Sequence, residues 1–170
     1  MCDLHKSEIR NPKSGINYID LLGKPFEYGG RGPDAYDCWG LCMEIYKRLG
    51  IQLPDGISTP EHKDIEQQIN EGFRIQKLVE TGFKPVCTKP VSTLLSGFKP
   101  VSTPTPYCLV TFMIRPPYTS HVGVALEDGN KFIHIMQKCR VAVERLDNLA
   151  WHRRIKGFYA YNSAGGDTDV

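Results

Sequence analysis

No stretch of this 170-residue chain is apolar for long enough to cross a bilayer. Its opening, MCDLHKSEIRNPKSG, lacks the hydrophobic segment of a secretory signal, so cytoplasmic synthesis without a signal peptide is expected. An excess of charge of one sign is lacking too. A net charge of +2, with 24% charged residues, argues against a nucleic-acid partner. The basic run Arg153, Arg154 and Lys156 reads as a solvated face rather than a phosphate site. Six cysteines are present, but none form a CxxC pair, and their spread does not suggest a secreted disulfide scaffold. A GxSxG nucleophile elbow is absent as well. What is there is ordinary: 41% hydrophobic residues in a length that suits a single domain with a real core.

The stretch from Tyr28 to Gly50 stands out. Gly29, Gly30, Gly32 and Pro33 open it as a tight, irregular turn. Asp37 then suits a helix N-cap, and Cys38, Leu41, Cys42, Ile45 and Leu49 follow at helical spacing. Lys47 and Arg48 complement the negative end of the dipole, and Gly50 is a ready stop. A cysteine on the first turn of a helix sits where the macrodipole and free N–H groups favour the thiolate. Cysteine is also among the most often buried residues, so the helix alone does not make Cys38 a nucleophile.

Around this stretch the chain divides into an N-terminal arm, 1–16, a single domain, 17–161, and a disordered tail, 162–170. Asn17 to Leu22 reads as a short helix capped by Asn17 and stopped by Gly23. Ser58 or Thr59 begins a surface helix that carries His62, a solvated histidine. The segment 81–106 is a proline-rich insertion with an internal repeat, GFKPVCT at 82–88 and GFKPVST at 97–103. It reads as a long surface loop or weak hairpin, with a flap over a cleft as the alternative. From Tyr107 onward the texture is β: runs at 108–114, 121–127, 130–136, 140–146 and 155–161. Asp147 is placed to cap a short turn through Trp151.

Asp128-Gly129 is the signature of a two-residue type I′ hairpin. That loop fixes the register: Ala125 opposes Phe132, Gly123 opposes His134, and His121 opposes Met136. His121 and His134 then share a sheet face as diagonal neighbours, with backbone centres about 7–8 Å apart. Gly123 leaves His134 room to lean toward His121. Two such histidines suit a metal pair, a core accident, or a base with its orienting residue. With Cys38 and Cys42 they make a Cys2His2 inventory, but the helical Cys38/Cys42 spacing is unlike a zinc knuckle. Cys38, a histidine base and a polar residue orienting that base form a complete relay.

YGGRGPDAYDCWGL followed by HVGVALEDGNKFIH resembles the NlpC/p60 papain-like cysteine peptidases that cleave peptidoglycan stem peptides. With DCWGL and the ending RVAVERL…RRIKGFYAY, it is most similar to the phage tail-assembly branch. The resemblance spans roughly residues 17–161. It implies an α+β papain-like fold: N-terminal helices packed on an antiparallel sheet of about five strands. It also implies Cys38 as nucleophile, His121 as base and His134 as the third polar residue. Tyr28, Asp37 and Trp39 would contact substrate, and the Cys38 backbone N–H would hold the oxyanion. Neither metal nor cofactor is expected. The implied substrate is a peptidoglycan stem peptide, cut after γ-D-glutamate, with phage tail proteins as partners and a place in the virion tail.

The chain departs from the family where Trp39 replaces the usual serine after the nucleophile. Thr105-Pro106-Tyr107 likewise replaces the usual Gly-Asp before the first core strand. Two other functions fit the same residues: a catalytically silent tail-tip protein that binds murein, and a thiol acyltransferase or deamidase.

Overall fold

A computed structural model describes residues 15–55, 82–87, 104–114 and 120–161. The helix expected from Ser58 and nearly all of the expected arm lie outside these residues. So do the tail and the second copy of the repeat.

The fold is α+β. Among the described residues six strands form one antiparallel sheet: β1 (Phe83–Cys87), β2 (Leu109–Phe112), β3 (His121–Ala125), β4 (Lys131–His134), β5 (Ala142–Arg145) and β6 (Ile155–Tyr161). Their order is β1-β6-β2-β3-β4-β5. The expected sheet had about five strands. The additional strand is β1, which lies in the repeat-bearing insertion, so that segment is not wholly a surface loop. Phe83 is fully buried, with its ring 5.6 Å from Tyr46 and 5.2 Å from Tyr161. Pro85 is tolerated because β1 is an edge strand, and the register shifts between Pro85 and Cys87.

Alternation along the strands divides the core in two. Leu109, Val122, Val124, Ile133 and Ile135 pack with Leu41, Cys42 and Ile45 of helix α1 (Cys38–Arg48). Val110, Phe112, Ala125, Phe132 and Phe158 pack on the other face with Trp151 of the short helix α2 (Leu149–His152). The cap of α2 is Asn148, whose side chain accepts from the Ala150 N–H. Asp147, the residue expected to cap it, is instead held by Arg145 at 2.6 Å and by Asn130 at 3.1 Å. Near the N-terminus the expected helix is a single 3-10 turn, Ile19–Leu21. Asn17 Oδ1 accepts from the Ile19 N–H at 3.1 Å, and Gly23 ends the turn with φ +78°.

The β3–β4 register is the expected one, with Val124 opposite Ile133 and Ala125 opposite Phe132. The turn chemistry is different. Type I′ needs positive φ at both central residues, and here Gly129 has it while Asp128 does not. Leu126 N–H donates to Lys131 O, which leaves 127–130 as the tip. Asp128 Oδ1 accepts from the N–H groups of Asn130 and Lys131 and so bends the tip locally.

Candidate active site

Cys38 is the first residue of α1, where the backbone N–H makes no bond to a preceding helical turn. The start of that helix is built tightly. Asp37 caps it, one carboxylate oxygen accepting from the Gly40 N–H at 2.6 Å. The other accepts from the Gly29 N–H at 3.2 Å and pairs with Arg31 Nη1 at 2.8 Å. The Gly30 carbonyl lies so close to Gly40 that a Cβ there would collide with it. Gly40 is therefore required by the approach of the 29–32 turn, not by helix propensity. At the other end Leu49 caps α1, Gly50 follows with φ +79°, and Arg48 reaches Asp20 at 2.6 Å.

The two histidines meet. His121 Nε2 lies 3.0 Å from His134 Nδ1, with both side chains buried at 4% and 5% exposure. Gly123 opens the space between them, since a Cβ there would press on the Ile133 carbonyl and His134 Cβ, 2.9 Å and 3.1 Å away. Trp151 stands edge-on to His134 with ring centres 4.5 Å apart. Phe112 lies 5.6 Å from His121. Burial in this aromatic setting pushes His121 down to about 3. It pushes His134 well below the usual histidine range as well, and the neighbouring His121 adds to that shift. Both rings are neutral at neutral pH, so one donates to the other.

Cys38 belongs to the side-chain cluster on the α1 face of the sheet, whereas the histidine rings lie against Phe112, Phe132 and Trp151. The link between them is β3, which packs under α1 through Val122 and Val124 and begins at His121. Among the described residues no three His, Cys, Asp or Glu side chains converge as a metal-binding group would require. The Cys2His2 inventory of Cys38, Cys42, His121 and His134 is thus not gathered in one place. Burial raises Cys42 well above its ordinary value, with Cys38 and then Asp37 adding to it, and it pushes Cys108 up to about 12.

Of the residues expected at the substrate, Tyr28 is half-buried, with its ring edge-on to Phe26 at 5.0 Å. Asp37 and Trp39 have no exposed surface. The Trp39 indole N–H donates to the Pro54 carbonyl at 3.1 Å. Arg31 and Trp151 were not anticipated. Arg31 lies within the YGGRGPDAYDCWGL block, but nothing in its spacing announces a pairing with Asp37, and Trp151 carries no periodic or motif signal that ties it to the histidines.

The NlpC/P60 family model matches residues 23–90, the segment that holds Tyr28, Asp37 and Cys38. The match supports the family resemblance there. Two solved structures are similar in fold. One is a Staphylococcus aureus protein described as similar to lipoprotein, NLP/P60 family, at 20% identity and TM-score 0.51. The other is a Bacillus cereus NlpC/P60 family protein at 21% identity and TM-score 0.51. The matches cover 82% and 83% of this chain but 37% and 36% of those chains, so this chain spans little more than a third of their length. No curated protein matches this chain.

Proposed function

We propose that this chain is a cysteine hydrolase of the NlpC/P60 type that cleaves an amide of a peptidoglycan stem peptide, the bond after γ-D-glutamate. The observation that carries this reading is the 3.0 Å His121–His134 bond between β4 and β3, the strand that packs under the helix Cys38 begins. Supporting it are the two motif blocks, the family match over 23–90 and the papain-like α+β fold. NlpC/P60 proteins are in general cysteine peptidases of the cell wall.

The tautomers follow from the bond. With Nε2 of His121 engaged, its Nδ1 is the nitrogen that takes the Cys38 proton. Nε2–H then donates to His134 Nδ1, and His134 carries its own proton on Nε2. A neutral His134 can accept from the His121 imidazolium as it forms, and the burial of His134 keeps it neutral. Catalysis requires the Cys38 sulfur to reach His121 past the end of β3, where His121 is the first residue. The thiolate attacks the carbonyl carbon and the oxyanion forms at the Cys38 N–H. His121 then protonates the leaving amine, and water releases the acyl group. Tyr28 lines the cleft, while Asp37 and Trp39 shape it from below. A virion tail setting, with tail proteins as partners, accords with the DCWGL block and the ending 140–161.

Purified murein fragments, with products read by mass, test the reading. Cys38→Ala and His121→Ala should abolish turnover. His134→Asn and His134→Gln, which keep a hydrogen-bonding group, should lose about ten- to a hundredfold and retain the rest. No turnover by the wild-type protein, or full turnover by His121→Ala, would overturn the proposal.

A further inference from the structure

The guanidinium of Arg31 lies against the first turn of α1, within 3.2 Å of where a Gly40 Cβ would stand. A cation at a helix N-terminus is disfavoured by the dipole, so its presence there calls for a cause. Asp37 supplies one. Its carboxylate is fully buried, immediately precedes Cys38, and meets Arg31 Nη1 at 2.8 Å. Arg31 is held from three sides. It donates to the Gly30 carbonyl at 3.1 Å, and Nε reaches Asp55 Oδ1 at 2.7 Å. An unbalanced carboxylate beside Cys38 would oppose the thiolate.

We propose that Arg31 is a positioning residue that offsets the Asp37 charge at the start of α1 and thereby keeps the Cys38 thiolate accessible. The inference rests on Cys38 being the nucleophile. Three groups of charged or titratable residues come from the elements around the thiol. Asp37 and Cys42 lie on its own helix segment, and His121 and His134 come from β3 and β4 of the sheet that α1 packs on, with their rings against Phe112, Phe132 and Trp151. Arg31 comes from the turn before the helix, with Asp55 behind it. The histidines are neutral, and Cys42 is protonated because burial raises it. Asp37 and Arg31 are thus the charges that decide the local field. The Asp37 field is felt along the helix, since it also contributes to raising Cys42.

The experiment is the pH profile of Cys38 alkylation by iodoacetamide. The ultraviolet thiolate absorbance, taken as the difference from Cys38→Ala, serves as a second measure. Arg31→Gln should raise the midpoint by about one pH unit, which makes labelling below it about tenfold slower. Arg31→Lys, which keeps the charge without the fork, should shift it less. Adding Asp37→Asn to Arg31→Gln should return the midpoint to its wild-type position. Asparagine caps a helix as well as aspartate does, so the helix start is retained. A general loosening of the site would not be repaired by removing a second group. An unmoved midpoint in Arg31→Gln, or no return in the double variant, would overturn the proposal. A shift that returns as described, in a protein that never cleaves murein, would support the charge balance and defeat the peptidase reading alone.

Discussion

Two buried neutral histidines make the protein sensitive to acid in a way that two exposed ones would not. In the unfolded chain each titrates near 6.5, whereas in the fold His121 is pushed down to about 3 and His134 lies well below its ordinary value. As pH falls below 6.5 the unfolded chain takes up protons that the folded chain refuses. Stability is therefore full above about 6.5 and is lost progressively toward 3. At its steepest the loss approaches about 1.4 kcal/mol per pH unit for each histidine. Urea midpoints should fall from about pH 7 to about pH 5, and His134→Gln, with one fewer such group, should show about half the slope. An unchanged slope in that variant would mean that other groups set the acid limit. The histidines were legible in the sequence because a period-2 pattern and a Gly turn are local and fix which residues share a face. Arg31 and Trp151 were not. What ties them to the site is side-chain contact that no pattern announces: Arg31 with Asp37 across the turn and with the more distant Asp55, and Trp151 with the distant His134.

At the scale of elements, α1 and strands β2 to β6 were readable for a common reason: each carries its own start, period and stop. Cys38–Arg48 has the Asp37 cap, a buried face and Gly50 beyond it. The turn at 128–129 was misread in type but not in register, because Asp128 bonds to the backbone of Asn130 and Lys131 and so needs no left-handed residue of its own. β1 was missed because Pro85 argues against a strand and nothing local favours one. The edge position accommodates Pro85, and the strand is held by its pairing with β6 and by Phe83, whose ring meets Tyr46 and Tyr161. Phe83→Ala should accordingly cost about 3–5 kcal/mol in denaturant unfolding. A loss below about 1 kcal/mol would show that β1 is an ornament of the sheet rather than a part of its core.

For the molecule as a whole, the position of β6 matters most. It lies between β1 and β2, pairing Tyr159 with Pro85 on one side and with Leu109 on the other. Phe158 packs in the Trp151 cluster and Tyr159 in the α1 cluster, so the last strand feeds both halves of the core. A chain truncated before Ile155 should therefore lose cooperative unfolding, and its Cys38 should be labelled no faster than a free thiol. Retention of a sharp transition would refute this dependence. The same placement bears on events at the ribosome. The helix that Cys38 begins is made early and emerges long before the last strand, and a vectorially growing chain cannot join β1 to the sheet until residues 155–161 arrive to lie between β1 and β2. On the proposed reading of Cys38, its thiol therefore stays unarmed until the last strand is in place, and a nascent chain stalled or clipped before residue 155 is an inert one.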